Sequence, residues 1–256
     1  MLFIKIDLAS IASVREAAAE LGKSVAKIDI LINNAGIMGT KFSLTPDRVE
    51  SQFGANHIGH FLLTNLLVPK LEAAGPGSRV VNVSSLLYQF SPFRFDDYNF
   101  SNGATYNTWE AYAQSKTANI LFSVALAKKL AKRGVKSYSV HPGNIQDTNL
   151  SATIDPSEWP IIGAMFAEKN VEPPKAKTVE QGSSTTLTAA LDPSLDSKFC
   201  ITYMPAIVLT RISLGASGAF LDDCNPAKAL DYASSPGNAE KLWALSEEIV
   251  GERFTY

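Results

Sequence analysis

Cysteine is nearly missing from this sequence, with Cys200 and Cys224 the only two among 256 residues. Two thiols cannot build a disulfide framework, and they lack the paired spacing of a zinc site. They read as ordinary buried thiols in a reducing compartment, so a cytoplasmic location is expected. A dominant charge is missing too: 23 Lys and Arg stand against 25 Asp and Glu, for a formal charge of −2. No basic stripe of the kind a phosphate backbone requires is present, which argues against a nucleic-acid partner. Long hydrophobic runs are absent. The most apolar stretch, Cys200 to Leu209, is too short for a transmembrane segment, and Lys5 and Asp7 interrupt the opening residues where a secretory signal would need an apolar core. His57, His60 and His141 come without an H-E-x-x-H pattern, so packing is a better reading than a metal site. Neither Ser84 nor Ser85 lies in the G-x-S-x-G of a serine hydrolase. The most informative absence is a glycine-rich turn between a strand and a helix. The nearest pair, Gly75 and Gly77, precedes a strand and lacks a third glycine.

What is present alternates between strand and helix patterns, which predicts an α/β fold with a parallel sheet covered on both faces. Leu2 to Ile6 is strand-like, and Ser10 caps a helix that buries Val14, Ala17, Ala18 and Leu21 before Gly22 stops it. Ile28 to Asn34 is a continuous apolar run of the buried parallel type. A helix is expected from Thr45, with Pro46 in its first position and Val49, Phe53, Phe61 and Leu67 inward, as far as Lys70. Arg79 to Ser85 is a second buried strand, and the aperiodic residues after it predict a loop. A long helix capped near Thr108 runs toward Gly134, and Val135 to Gly143 is strand and turn. Asn149 to Lys177 is expected to be loop. Thr178 and Gln181 form a capping box for a helix to Leu191, and Pro236 opens a last helix closed by Gly251. One domain over residues 1–256 is the economical reading, with Phe199 to Ala216 an anomalous apolar insertion.

Tyr112 and Lys116 stand one helical turn apart and share a face. A lone Y-x-x-x-K is more often an exposed tyrosine beside a solvated lysine, but this one has company. Ser85 ends a strand, NNAG (Asn33 to Gly36) ends another, HPG (His141 to Gly143) a third, and Asn56 lies on the helix between. These motifs, NNAG, NVSS at Asn82 to Ser85, YAQSK at Tyr112 to Lys116 and HPG, resemble in order and spacing the short-chain dehydrogenase/reductase family. FGANHIGHFLLTNLL and the tail from Ala229 further resemble its retinol dehydrogenase-like and WW-domain-containing oxidoreductase-like branch.

The resemblance implies a Rossmann-like doubly wound sheet and hydride transfer between a nicotinamide cofactor and an apolar carbonyl/alcohol pair. Tyr112 would be the general acid/base, Lys116 would favour its phenolate and hold the nicotinamide ribose, Ser85 would hold the substrate oxygen, and Asn56 would anchor a water relaying protons to Lys116. Asp7, Asn34, Ala35, Gly36 and Lys70 would line the cofactor, as would Pro142, Gly143, Ile145 and Thr148, with Asp147 an alternative to Thr148. The branch leans to NADP over NAD, its fungal members to secondary metabolism, and its dimers to bundles of the helices bearing Asn56 and Tyr112, so a homodimer is expected. Trp159, Pro160, Ile161, Ile162 and Phe166 would cover an apolar substrate.

By the same resemblance MLFIKIDLAS is the family's third strand, so the first two strand-helix units, roughly 50 residues, are expected to be lacking. That would leave Ile28 to Asn33 as an apolar sheet edge, or force the opening strand to pair there. It also raises a second reading, a non-catalytic remnant that binds no dinucleotide and acts as a binding or regulatory protein.

Overall fold

The structure, a computed structural model, describes residues 1–152, 154–196 and 217–256. Its strands are β1 (Ile30–Asn33), β2 (Arg79–Val83), β3 (Lys136–His141), β4 (Asn144–Ile145), β5 (Ala176–Lys177), β6 (Phe220–Asp222) and β7 (Asn225–Ala227). The main sheet has the order β1-β2-β3-β6-β7, parallel except for β7, while β4 and β5 make a separate parallel pair. The helices are α1 (Ile11–Ser24), α2 (Ser51–Phe53), α3 (Gly59–Ala73), α4 (Thr108–Lys129), α5 (Glu158–Glu168), α6 (Val179–Leu191), α7 (Asp231–Ser234) and α8 (Pro236–Val250). This is the expected Rossmann-like α/β architecture. β2, buried along its whole length, alternates between two cores: Val80 joins Phe53, Phe61, Leu121 and Trp243 under α1, α3, α4 and α8, while Val81 and Val83 join Tyr138, Val140 and Ala189 under α6.

Signals carried within a few residues are found where the sequence puts them. The Thr178–Gln181 capping box opens α6, Pro236 opens α8, and Gly134 and Gly251 take left-handed conformations where helices end. Other expectations are corrected. Leu2 to Ile6 forms no strand, because a strand exists through its ladder and no described strand lies beyond β1; Leu2 and Phe3 are instead exposed. β1 is therefore the sheet edge, with Ile30 36% and Ile32 39% exposed on the α6 side.

The helix expected from Thr45 starts at Ser51. A turn comes first, bridged between Leu44 and Glu50, with Arg48 at φ 64°. The buried Glu50 carboxylate supplies the cap, accepting from the backbone N–H of Gln52 at 2.9 Å and Phe53 at 2.8 Å. The stretch expected as loop from Asn149 to Lys177 contains α5, whose Pro160 sits in the first turn where a missing N–H costs nothing. Phe199 to Ala216 and Cys200 lie outside the described residues. Cys224 is only half-buried, its thiol 3.8 Å from the Thr185 hydroxyl. α8 packs on α4: Phe122 lies against Trp243, and Lys128 and Lys129 pair with Glu240. Among the described residues no helix is long and apolar enough to cross a membrane.

Candidate active site

Parallel strands bring their carboxyl ends to one edge of the sheet, where open α/β sheets collect ligands. Here β1 delivers Asn33 to Gly36, β2 delivers Ser84 and Ser85, and β3 delivers His141 to Gly143. Asn33 ties the first two strands to α3: its Nδ2 donates to Asn82 Oδ1 at 2.8 Å and Thr64 Oγ1 at 2.9 Å. α4 is stitched to the end of β2. Ser84 Oγ donates to the Lys116 carbonyl at 2.8 Å, Lys116 Nζ donates to the Val83 carbonyl at 3.1 Å, and Asn119 Nδ2 donates to that carbonyl at 3.0 Å. Ser84 is thereby occupied by the helix. Ser85 is left to cap the following 3-10 turn, accepting from Leu87 N at 3.2 Å, with its hydroxyl near enough to the Tyr112 phenol to favour the phenolate slightly.

Tyr112 is buried among Leu87, Phe90, Trp109 and Ile162, with Met38 and Met165 beside them. Lys116 Nζ lies 5.5 Å from the centre of its ring. Both groups lose hydration, which disfavours their charged forms. Burial pushes the Tyr112 phenol above its usual 10.0, with the Ser85 hydroxyl a smaller opposing influence, and burial lowers Lys116 from 10.5 to about 8. Desolvation is the largest influence on the phenol, and the Lys116 ammonium donates to the Val83 carbonyl.

Asn56 lies in a π-helical turn, Gly54–Ile58, between α2 and α3, fully buried. Its Oδ1 accepts from Ile37 N at 2.8 Å, and its Nδ2 donates to Ile37 O at 2.9 Å and Ser115 Oγ at 2.9 Å. The side chain clamps the segment after β1 as a neighbouring strand would. That clamp brings Gly36 against Lys116: a Cβ on Gly36 would stand 3.0 Å from Asn56 Oδ1 and 3.4 Å from Lys116 Nζ. His60 supports the turn, with Nδ1 3.0 Å from the Asn56 carbonyl.

The residues expected to line a cofactor divide into two groups. Gly36 adjoins Lys116, and Asn34 and Ala35 precede it, exposed. Gly143, at φ 94°, lies under Lys177, whose Cδ is 2.6 Å from where a Cβ would stand, and Pro142 precedes it. Ile145 turns instead toward Gly182 of α6, and Thr148 and Asp147 are exposed, with Thr148 Oγ1 3.5 Å from the Ile145 carbonyl. Lys70 is not brought in, and Asp7 is engaged locally. Lys70 lies about four turns, roughly 21 Å, along the helical rod from Asn56, beside Gly22 of α1. The Asp7 carboxylate closes a local turn by accepting from Ala9 N at 2.9 Å. Two groups outside the motifs belong here, Gln52 and Tyr106, together with Ser115 and His141, which the YAQSK and HPG motifs contain without a role assigned to them. A glutamine inside an apolar helix start was the available signal for the first.

The space beside Lys116 that Gly36 leaves open, between two loops at strand ends, fits the nicotinamide and its ribose. At the end of β3, His141 Nε2 is buried without a hydrogen-bond partner, a polar group that a ligand can satisfy. For a pyrophosphate, no described strand runs into a helix through a glycine-rich turn. Among the described residues no group of His, Cys, Asp and Glu could hold a metal.

A sequence model of the short chain dehydrogenases matches residues 1–159. Mouse retinol dehydrogenase 14 is 36% identical over 247 residues, covering 96% of this chain and 66% of that protein. Human retinol dehydrogenase 13 is 37% identical over 246 residues, covering 96% and 67%. The chain thus spans about two thirds of the length of these curated relatives. Among solved structures, a protein from Mycobacterium Paratuberculosis is 30% identical with a TM-score of 0.64, covering 98% of this chain and 76% of that one. The NADPH-bound carbonyl reductase from chicken fatty liver, 20% identical, shares the fold with a TM-score of 0.55 over 90% of this chain and 77% of that one.

Proposed function

The chain belongs to the short chain dehydrogenase family, and from that premise we propose that Ser85, Tyr112 and Lys116 are the proton-transfer centre of an oxidoreductase acting on an apolar alcohol or its carbonyl compound. The observation that carries this reading is the convergence of three groups: Ser85 at the carboxyl end of β2 beside the buried Tyr112 phenol, with Lys116, also buried, one turn further along α4. A nicotinamide dinucleotide supplies or takes the hydride when bound.

The chain's own groups handle the proton. Burial keeps Tyr112 neutral through the physiological range, so its O–H is ready to donate to a substrate oxygen in the reductive direction, with the Ser85 hydroxyl sharing that oxygen. The phenolate left behind is costly in an apolar pocket, and Lys116, protonated below about pH 8, is the nearby cation that offsets it. Lys116 and Tyr112 would hold the ribose, with Asn34 to Gly36 on one side and Pro142 and Gly143 on the other. Asn56 serves by holding Ile37, and through it Gly36, in place.

An apolar substrate is supported by what surrounds the phenol: Leu87, Phe90, Ile154 and Ile162, with Met38 and Phe166 at the margin. The relatives' names point the same way, since they are retinol dehydrogenases and retinol is an apolar alcohol. NADP(H) is the proposed form of the cofactor, following the branch the motifs resemble. Titrating the purified chain with NADPH, and NADH alongside, while following protein and cofactor fluorescence tests the proposal; saturable binding supports it. No binding at millimolar cofactor would leave the second reading, a non-catalytic binding or regulatory protein, which the lack of a glycine-rich turn among the described residues favours.

A further inference from the structure

The segment from Asn34 to Thr40 contains no helix or strand, yet it carries Gly36 to Lys116. Side chains from two distant parts of the chain hold it. Asn56 takes both backbone groups of Ile37; the next fastening is Gln52, fully buried in α2. Gln52 Oε1 accepts from Gly39 N at 3.0 Å, while its Nε2 donates to the Tyr106 hydroxyl at 2.9 Å and to the Thr108 carbonyl at 3.0 Å. Tyr106 completes the loop by donating to the Thr40 carbonyl at 2.8 Å. Thr108 is the first residue of α4, one turn before Tyr112. A single amide thus spans from the backbone after β1 to the helix that bears Tyr112 and Lys116, and every hydrogen-bonding atom it has is used.

The neighbours leave this strap little freedom. Tyr106 is held between Phe42 and Phe100 by edge-on ring contacts at 5.3 and 5.5 Å. Gly39 is at φ 69°, and Ile154 Cγ1 lies 2.5 Å from where its Cβ would stand, so the same backbone that Gln52 grips also forms the wall against which the apolar cover of Tyr112 packs.

We propose that Gln52 and Tyr106 are positioning residues that set the spacing between the Gly36–Thr40 backbone and the first turn of α4, and with it the width of the cleft in which Lys116 and Tyr112 receive the cofactor. This rests on the reading of the site given above, and the test separates the two. Tyr106→Phe removes one hydroxyl and keeps the ring packing; Gln52→Leu removes the whole strap. Both variants are compared with the wild-type chain by amide hydrogen exchange of residues 37–40, by NADPH affinity from fluorescence, and by the division of any activity loss between kcat and the cofactor KM.

Tyr106→Phe is expected to exchange about tenfold faster at residues 37–40, the equivalent of about 1.4 kcal/mol for one buried hydrogen bond, and Gln52→Leu faster still, with strands β2 and β3 unaffected. NADPH affinity should fall by a similar factor, and the loss should appear in the cofactor KM more than in kcat. Unchanged exchange in folded Tyr106→Phe, or unchanged NADPH affinity despite faster exchange, overturns the positioning role. Failure of the wild type itself to bind NADPH overturns the proposed function instead, and exchange then still decides whether the strap holds the loop.

Discussion

Lowering the pH from 7 to 5 should cost this protein much of its stability through its histidines. The chain has three, and all are buried: His57 fully, His60 and His141 at 4% exposure. His57 is stacked on Phe53 and edge-on to Phe122, with Nε2 2.9 Å from Ser246 Oγ. Burial lowers His57 to about 3 and both His60 and His141 to about 4; the Lys116 charge adds to the effect at His60, while Asp222 opposes it at His141. In the unfolded chain each takes up a proton near pH 6.5. Between about 6.5 and 4 the unfolded state therefore binds more protons than the native one, and stability falls as pH falls. At about 1.4 kcal/mol per pH unit, the drop from 6.5 to 5 costs about 2 kcal/mol per histidine, or about 6 kcal/mol for the three. That rivals the 5–15 kcal/mol or so that typically holds a domain folded. Glu50, pushed upward by burial, works in the opposite sense, since the native state takes its proton first. Urea unfolding at the two pH values measures the net change, and His57→Phe isolates one term: its pH-dependent loss should be smaller than the wild type's by about 2 kcal/mol. Equal losses in variant and wild type would refute the assignment of a neutral, buried His57.

Gly36→Ala puts a methyl 3.0 Å from Asn56 Oδ1, an atom already held by Ile37; NADPH affinity should fall about tenfold, with a stability loss of about 1–3 kcal/mol seen in urea unfolding. Glu50→Ala leaves the buried N–H groups of Gln52 and Phe53 without their acceptor and should cost about 2–4 kcal/mol by the same measurement. Trp243→Ala opens a void against Phe61 and Phe122 where α8 meets α3 and α4, and should cost about 3–5 kcal/mol.

The elements legible in the sequence are those whose cause lies within a few residues. Thr178 with Gln181, Pro236 and Gly251 mark helix ends by local chemistry, and the apolar run of β2 announces burial on both faces. Leu2 to Ile6 was misleading for the opposite reason: its pattern suits a strand, but pairing depends on a neighbour that the local sequence does not contain. Thr45 suggests a helix cap, but the cap falls five residues later to the buried Glu50 carboxylate, after a turn bridged between Leu44 and Glu50. At the site, the spacing of Tyr112 and Lys116 places them on one face, and Ser84 is separated from Ser85 by the carbonyl of Lys116 that Ser84 holds. Gln52 and Tyr106 could not be paired from the sequence; they are far apart in the chain and meet only because the loop after β1 folds over α2. Lys70 and Asp7 matched by motif position, and distance removes the first while a local turn engages the second.

The central claim is that Tyr112 transfers the proton in a cofactor-dependent reaction on an apolar carbonyl compound or alcohol. Its most direct test is single-turnover oxidation of NADPH with an apolar aldehyde, comparing the wild-type chain with Tyr112→Phe at equal NADPH occupancy. Turnover by the wild type and its loss in Tyr112→Phe saturated with NADPH are the results this claim predicts. Turnover retained by Tyr112→Phe, or no turnover by a wild type saturated with NADPH across a series of apolar aldehydes and ketones, would contradict it.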